Sequence, residues 1–106
     1  LREMLIIRSF LRIDLPRKFK MIQPEIMNAL ASVVPELSRK QLEVATLYAN
    51  GTGYDSIADI CNISVETVRS HLKRSTKALN LESNEAMRAV ILLRSNFLII
   101  SMLIAK

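Results

Sequence analysis

Two closely spaced helix terminators, Asn50-Gly51 and Asn62, constrain the fold of this chain more than any other feature. Glycine is the usual residue at the left-handed position that ends a helix, and asparagine is the residue that replaces it most readily. The segment between the two terminators has room for only one short helix, which we predict over 54–61. A helix–turn–helix unit is therefore expected around Asn62.

Serine residues mark where the helices begin. Ser38 is followed three residues later by a glutamine, the arrangement of a capping box, and predicts a helix that runs to Asn50. Ser64 precedes a helix predicted over 65–79, and Ser83 is a further cap candidate. Leu, Ile, Met and Ala are abundant and tryptophan is absent, which favours an all-α fold.

The 106 residues form one small domain with extensions. Region 1–36 is predicted to be a helical linker or the tail of an upstream region. Within it, Pro24 suits the first position of a short helix. A compact domain follows over 37–96, and an apolar extension over 97–106. The chain begins with Leu1 rather than methionine, so we expect a fragment or a processed product.

The net charge and the single cysteine and histidine limit the classes of function open to this chain. Fifteen Lys and Arg against ten Asp and Glu give a net charge of +5, which suits a polyanionic partner. Cys61 and His71 are the only residues of their kinds, so neither an internal disulfide nor an ordinary zinc site is expected. We predict no enzyme, no metal and no cofactor, and a reducing cytoplasm as the location.

The apolar end raises the question of a membrane span. The uninterrupted run after Asn96 is far shorter than the ~20 residues that a spanning helix needs. Extending it back to Ala89 places Arg94 inside the bilayer at a cost of roughly 3 kcal/mol. We therefore predict no membrane partner and expect this end to pack on the core or on a second copy.

The helix over 65–79 has two faces. At 100° per residue, Val65, Val68, Leu72 and Leu79 fall together and are expected to face the core. The opposite face and its flanks collect polar and basic residues: Thr67, Arg69, Ser70, His71, Lys73, Arg74 and Lys77.

Four of those residues are cations, against one acid, Glu66. Like charges four residues apart, as in Arg69–Lys73 and Lys73–Lys77, are mildly unfavourable without a nearby anion. Lys and Arg supply phosphate contacts and donors to base edges. We interpret this helix as one that enters a DNA groove rather than as an ordinary solvated surface.

Residues 37–79, LSRKQLEVATLYANGTGYDSIADICNISVETVRSHLKRSTKAL, resemble the LuxR/NarL/GerE type of helix–turn–helix output domain. The residues that carry the resemblance are Leu37-Ser38, Glu43-Val44, Gly51, Ile57-Ala58, Ile63-Ser64, Thr67-Val68-Arg69, His71-Leu72 and Leu79. The resemblance implies a four-helix bacterial transcription-regulator domain that binds double-stranded DNA with its third helix in the major groove.

Carried onto matching positions, the resemblance also implies site residues. Groove contacts would be Arg69, Ser70 and Lys73, and backbone contacts would be Ser64, Thr67, Arg74 and Lys77. His71 would have a structural or phosphate-contacting role. A fourth helix, about 84–95, would join a homodimer through Ala86, Met87, Val90 and Arg94. Ser75 and Thr76 depart from the pattern, where apolar residues are common, so less secure packing of the last turn is expected.

Two alternatives stay open. The segments NALASVVPELSRKQLEV, GYDSIADI and SVETVRSHLKRSTKAL also resemble region 4 of bacterial sigma factors, which would add RNA polymerase as a partner. Alternatively, a protein-interaction module would keep the fold and regulate by pairing with another regulator. The apolar tail over 97–105 would then be its functional surface.

Overall fold

The computed structural model describes residues 24–105, which form five α-helices and no strand. The all-α prediction is confirmed. Of the predicted linker over 1–36, residues 1–23 lie outside the described residues, as does Lys106 of the predicted extension. The helices are α1 (Pro24–Val33), α2 (Arg39–Ala49), α3 (Tyr54–Cys61), α4 (Val65–Ala78) and α5 (Asn84–Ile104).

Helix α2 has the predicted signals at both ends. The Ser38 hydroxyl accepts a hydrogen bond from the Gln41 amide, and the Gln41 side chain accepts one from the Ser38 amide, which completes the capping box. Gly51 follows the helix with φ +95°, a backbone conformation that residues other than glycine rarely adopt. This turn directs the chain into α3.

The turn between α3 and α4 sets their crossing. Asn62 has φ 56° and ψ 50°, in the left-handed region, as predicted. The amide of Ile63 donates to the carbonyl of Ala58 at 2.9 Å, so the chain reverses directly after α3. Ala58 is buried, and its small side chain lets α3 and α4 approach closely.

Helix α2 lies at the centre of the fold and packs on the other four helices, while α1 packs on α2 and α5. The core includes side chains from every described helix. The large side chains with less than 2% exposure are Val34, Leu42, Val44, Ile57, Val68, Leu72, Met87 and Ile91. Val68 and Leu72 fix the inner face of α4, as the helical periodicity predicted.

The last turn of α4 is packed despite its two hydroxyl side chains. Ser75 is fully buried, and its hydroxyl donates to the carbonyl of His71 at 2.7 Å. Thr76 is also buried and donates to Oδ1 of Asn84 at 2.7 Å. These hydrogen bonds satisfy both hydroxyls, so neither is a buried polar group without a partner.

Helix α5 runs to Ile104 instead of ending near residue 95, so the predicted boundary at 96–97 lies inside a continuous helix. Met87 and Ile91 pack its first half into the core. By length and composition α5 is long and apolar enough to cross a membrane. A single such helix is weak evidence for a membrane span, because a core helix of a soluble protein passes the same test. Its second half exposes large apolar side chains: Phe97, Ile99, Ile100, Met102, Leu103 and Ile104.

Candidate nucleic-acid interface

The predicted DNA contacts all lie on α4 or at its N-cap. Val68 and Leu72 hold the inner face of the helix, so its outer face points away from the core. The four cations on that outer face are exposed and Ser70 is half-buried. The exposed cations are Arg69, Lys73, Arg74 and Lys77. The structure thus brings the predicted residues together on one solvent-facing surface, which we call the α4 basic face.

Ser64 and Thr67 form a local hydrogen-bonded pair at the start of α4. The Ser64 hydroxyl accepts from the Thr67 amide at 3.1 Å and shares a 2.8 Å hydrogen bond with the Thr67 hydroxyl. One of the two hydroxyl protons is used within the pair, and the other remains to donate elsewhere. The pair therefore caps α4 and has at most one hydrogen bond to offer a phosphate.

Arg69 has two partners within the domain. Its Nη1 lies 3.7 Å from Oε1 of Glu66, one helical turn earlier, and both side chains are largely exposed. Its Cζ lies 5.6 Å from the centroid of the Tyr54 ring on α3, within cation–π range. Glu66 at i−3 is readable from the sequence, whereas the contact with Tyr54 requires the angle between α3 and α4.

Two tyrosines connect Arg69 to the rest of the fold. The rings of Tyr54 and Tyr48 are 6.0 Å apart at an angle of 42°. Cζ of Arg88, on α5, lies 4.5 Å from the Tyr48 centroid, and the Tyr48 hydroxyl donates to Glu85 at 3.3 Å. Burial raises the pKa of Tyr48 above its usual value. The two rings and two arginines form a row across α5, α2, α3 and α4.

His71 lies between the core and the α4 basic face, as predicted. Its Nδ1 is buried without a hydrogen-bond partner in the described part of the chain. Burial lowers the pKa of His71, and the positive charges of Arg74 and Lys40 lower it further. The lowered pKa favours the neutral form of the imidazole at pH 7, which supports a packing role over a phosphate contact.

An open groove of about 530 Å³ between α3 and the start of α4 has a different character. Asp55 and Asp59, both exposed, lie along it. Ser64, a predicted DNA contact at the N-cap of α4, also lines this groove. The acidic edge of α3 therefore adjoins the N-terminal end of the α4 basic face.

The predicted dimer residues are placed differently from one another. Met87 is fully buried in the domain's own core and, with Ile91 one turn later, faces inward, so its side chain is not exposed to a partner. Ala86 and Val90 are half-buried. Nη1 of Arg94 donates to Glu36 at 2.8 Å and to the carbonyl of Val33, and the hydrogen bond lowers the pKa of Glu36.

The family model described as "Bacterial regulatory proteins, luxR family" matches residues 35–90, more than half of the chain. The matched range begins before α2, contains α3 and α4 completely and ends within α5. No curated protein and no solved structure matches the chain. The match favours the LuxR resemblance over the sigma-factor one, and the family is regulatory rather than enzymatic. The chain therefore belongs to the luxR family of bacterial regulatory proteins, with a DNA-binding helix–turn–helix domain.

Proposed function

We propose that this chain regulates transcription in the bacterial cytoplasm by placing α4 in the major groove of double-stranded DNA. The observation that carries the proposal is the α4 basic face, where four exposed cations project from a helix whose other side is buried. An α-helix fits the width of the major groove, and Arg and Lys are the main donors to guanine edges and phosphates.

Within this proposal the residues of the α4 basic face differ in the part of the DNA that they contact. Arg69, Ser70 and Lys73 contact base edges, while Arg74 and Lys77 contact phosphates on either side. Ser64 and Thr67 contribute through the one hydroxyl proton that their pair leaves available. The protein acts as a homodimer through α5, with Ala86 and Val90 as the contact residues and Arg94 at the edge. Two half-sites separated by about one helical turn of DNA follow from a two-fold dimer.

The test begins with a duplex that the 106-residue chain selects from a random-sequence pool. Affinity for that duplex is then measured over a salt series for wild type and for Lys73→Ala. Arg39→Ala is the control. Arg39 is an exposed cation bonded to Asn28 of α1, and α1 packs on α2 and α5. Lys73→Ala should reduce the log–log salt slope by about one unit and Arg39→Ala should leave it unchanged. An unchanged slope for Lys73→Ala removes that residue from the interface.

A second candidate function has its own observation, the exposed apolar second half of α5. An interaction module would use those side chains to pair with another regulator. If Lys73→Ala and Arg74→Ala leave regulation intact while substitutions in 97–104 abolish it, this second function replaces the first. Footprinting without polymerase adds a separate check, because a palindromic site supports the dimer and a lone promoter-type site supports a sigma-like role.

A further inference from the structure

We propose that Tyr54 is a positioning residue for DNA binding: its ring holds the Arg69 guanidinium beside α4 in the place from which it contacts DNA. This inference rests on the proposed function of the α4 basic face. Cζ of Arg69 lies 5.6 Å from the Tyr54 ring centroid, although the Arg69 side chain is 61% exposed. A free arginine side chain at that exposure samples many rotamers, and binding DNA then requires ordering it.

The Tyr54 ring is itself held in place. Tyr54 is the first residue of α3 and packs partly against the core. Its ring contacts that of Tyr48, which is 8% exposed, at a centroid distance of 6.0 Å. Tyr48 is in turn held from α5, by its hydrogen bond to Glu85 and by Arg88 at 4.5 Å from its ring. The surface against which Arg69 rests is therefore continuous with the buried part of the domain.

Both contacts of Arg69 leave its hydrogen-bonding capacity available. A cation–π contact uses the charge of the guanidinium and none of its five N–H donors. The distance of 3.7 Å to Glu66 is an ion-pair distance, longer than a hydrogen bond. A guanidinium held in this way keeps its planar set of donors for two adjacent acceptors, on a guanine edge or a phosphate. Lysine has no such plane, so Lys at position 69 would not inherit the arrangement.

A double-mutant cycle tests the proposal with the full chain and the duplex selected from the random pool. The variants are Tyr54→Leu, Tyr54→Phe, Arg69→Ala and Tyr54→Leu combined with Arg69→Ala. Tyr54→Leu should weaken binding about two- to five-fold, the strength of an exposed cation–π contact. Tyr54→Phe, which retains the ring, should bind within about two-fold of wild type. In the Arg69→Ala background, Tyr54→Leu should have no further effect, since the residue it positions is gone.

The outcomes separate this inference from the proposed function. If wild type selects no duplex while its circular dichroism shows folded helices, the proposed function fails. If wild type binds but Tyr54→Leu weakens binding equally in both backgrounds, Tyr54 acts only through stability and the positioning role is wrong. Tyr54→Phe that binds as weakly as Tyr54→Leu also overturns the positioning role. Thermal unfolding of each variant sets an assay temperature at which all are folded.

A spectroscopic readout is available because the chain has two tyrosines, both in this row, and no tryptophan. Tyrosine-selective ring labelling gives two sets of NMR signals. The Tyr54 signals should shift in Arg69→Ala and should shift on adding DNA to wild type. Tyr54 signals that are the same in wild type and Arg69→Ala contradict the contact itself.

Discussion

The hydroxyl of Thr76 donates a hydrogen bond of 2.7 Å to Oδ1 of Asn84 and so joins the last turn of α4 to the first turn of α5. Thr76 is 7% exposed, and the chain between the two residues turns at Asn80, which has φ 59°. The amide of Leu81 also returns to the carbonyl of Thr76 at 3.0 Å. The α4 basic face and the helix proposed to dimerise are therefore fixed relative to each other at this point.

Replacing Thr76 with valine should lower the free energy of unfolding by about 1 kcal/mol, because the shape is kept while Asn84 loses its donor. Urea denaturation followed by circular dichroism measures the change. Ser101→Ala is the matched control, since the Ser101 hydroxyl bonds a helix carbonyl on the exposed end of α5. A Thr76→Val variant as stable as the control would show that the interhelical bond contributes nothing.

His71 should make stability depend on pH in a defined direction. Burial lowers its pKa in the folded protein below the ordinary value of 6.5, so the unfolded chain binds the proton more readily. The stabilisation is complete above about pH 6.5 and is lost as the pH falls from there through the folded-state pKa. Between about pH 7.5 and pH 5.5, wild type should lose more unfolding free energy than His71→Gln.

Glu36 does not contribute to the change in stability between about pH 7.5 and pH 5.5. Its pKa is lowered by the Arg94 hydrogen bond, so its contribution is present above its ordinary value of 4.5 and is lost only at lower pH. Denaturant unfolding at the two pH values provides the comparison. Equal pH dependence in wild type and His71→Gln would mean that the imidazole is not perturbed.

Removing the Glu66 carboxylate should strengthen DNA binding. Glu66 is the acid nearest to Arg69 on α4, and its charge opposes the approach of phosphate. Glu66→Gln should raise affinity about two- to five-fold at low salt, with a smaller gain at high salt because exposed charges are screened. Glu25→Gln, which removes an exposed carboxylate from α1, serves as the control for net charge alone, since α1 packs on α2 and α5. Equal gains from both variants would assign the effect to overall charge.

Substitutions on α5 should separate folding from dimerisation. Met87→Asp places a carboxylate in the core and should cost at least about 3 kcal/mol, enough to unfold much of the protein. Val90→Asp, on the half-buried side of α5, should cost about 1 kcal/mol and lower the dimer fraction in analytical ultracentrifugation. A Val90→Asp variant that remains as dimeric as wild type would place the interface elsewhere.

Local signals accounted for the helices that form the site. Ser38, Gly51, Asn62 and Ser64 each act within one turn of their own position, so their effects on the backbone are readable from neighbouring residues. Helical periodicity likewise placed Val68 and Leu72 inside and the cations outside. The ion pair of Arg69 with Glu66 belongs to the same class, because the two residues are one helical turn apart.

The sequence by itself determined the helix boundaries around the turn, the two faces of α4 and the family. Only the tertiary structure decided that Met87 faces inward, that Ser75 and Thr76 are buried with hydrogen-bond partners, and that Arg69 rests on Tyr54. The physical reason is the range of the interactions. Caps and periodicity act within a single helix, whereas these contacts depend on the angles at which α3, α4 and α5 pack around α2, and many residues distant in sequence set those angles together.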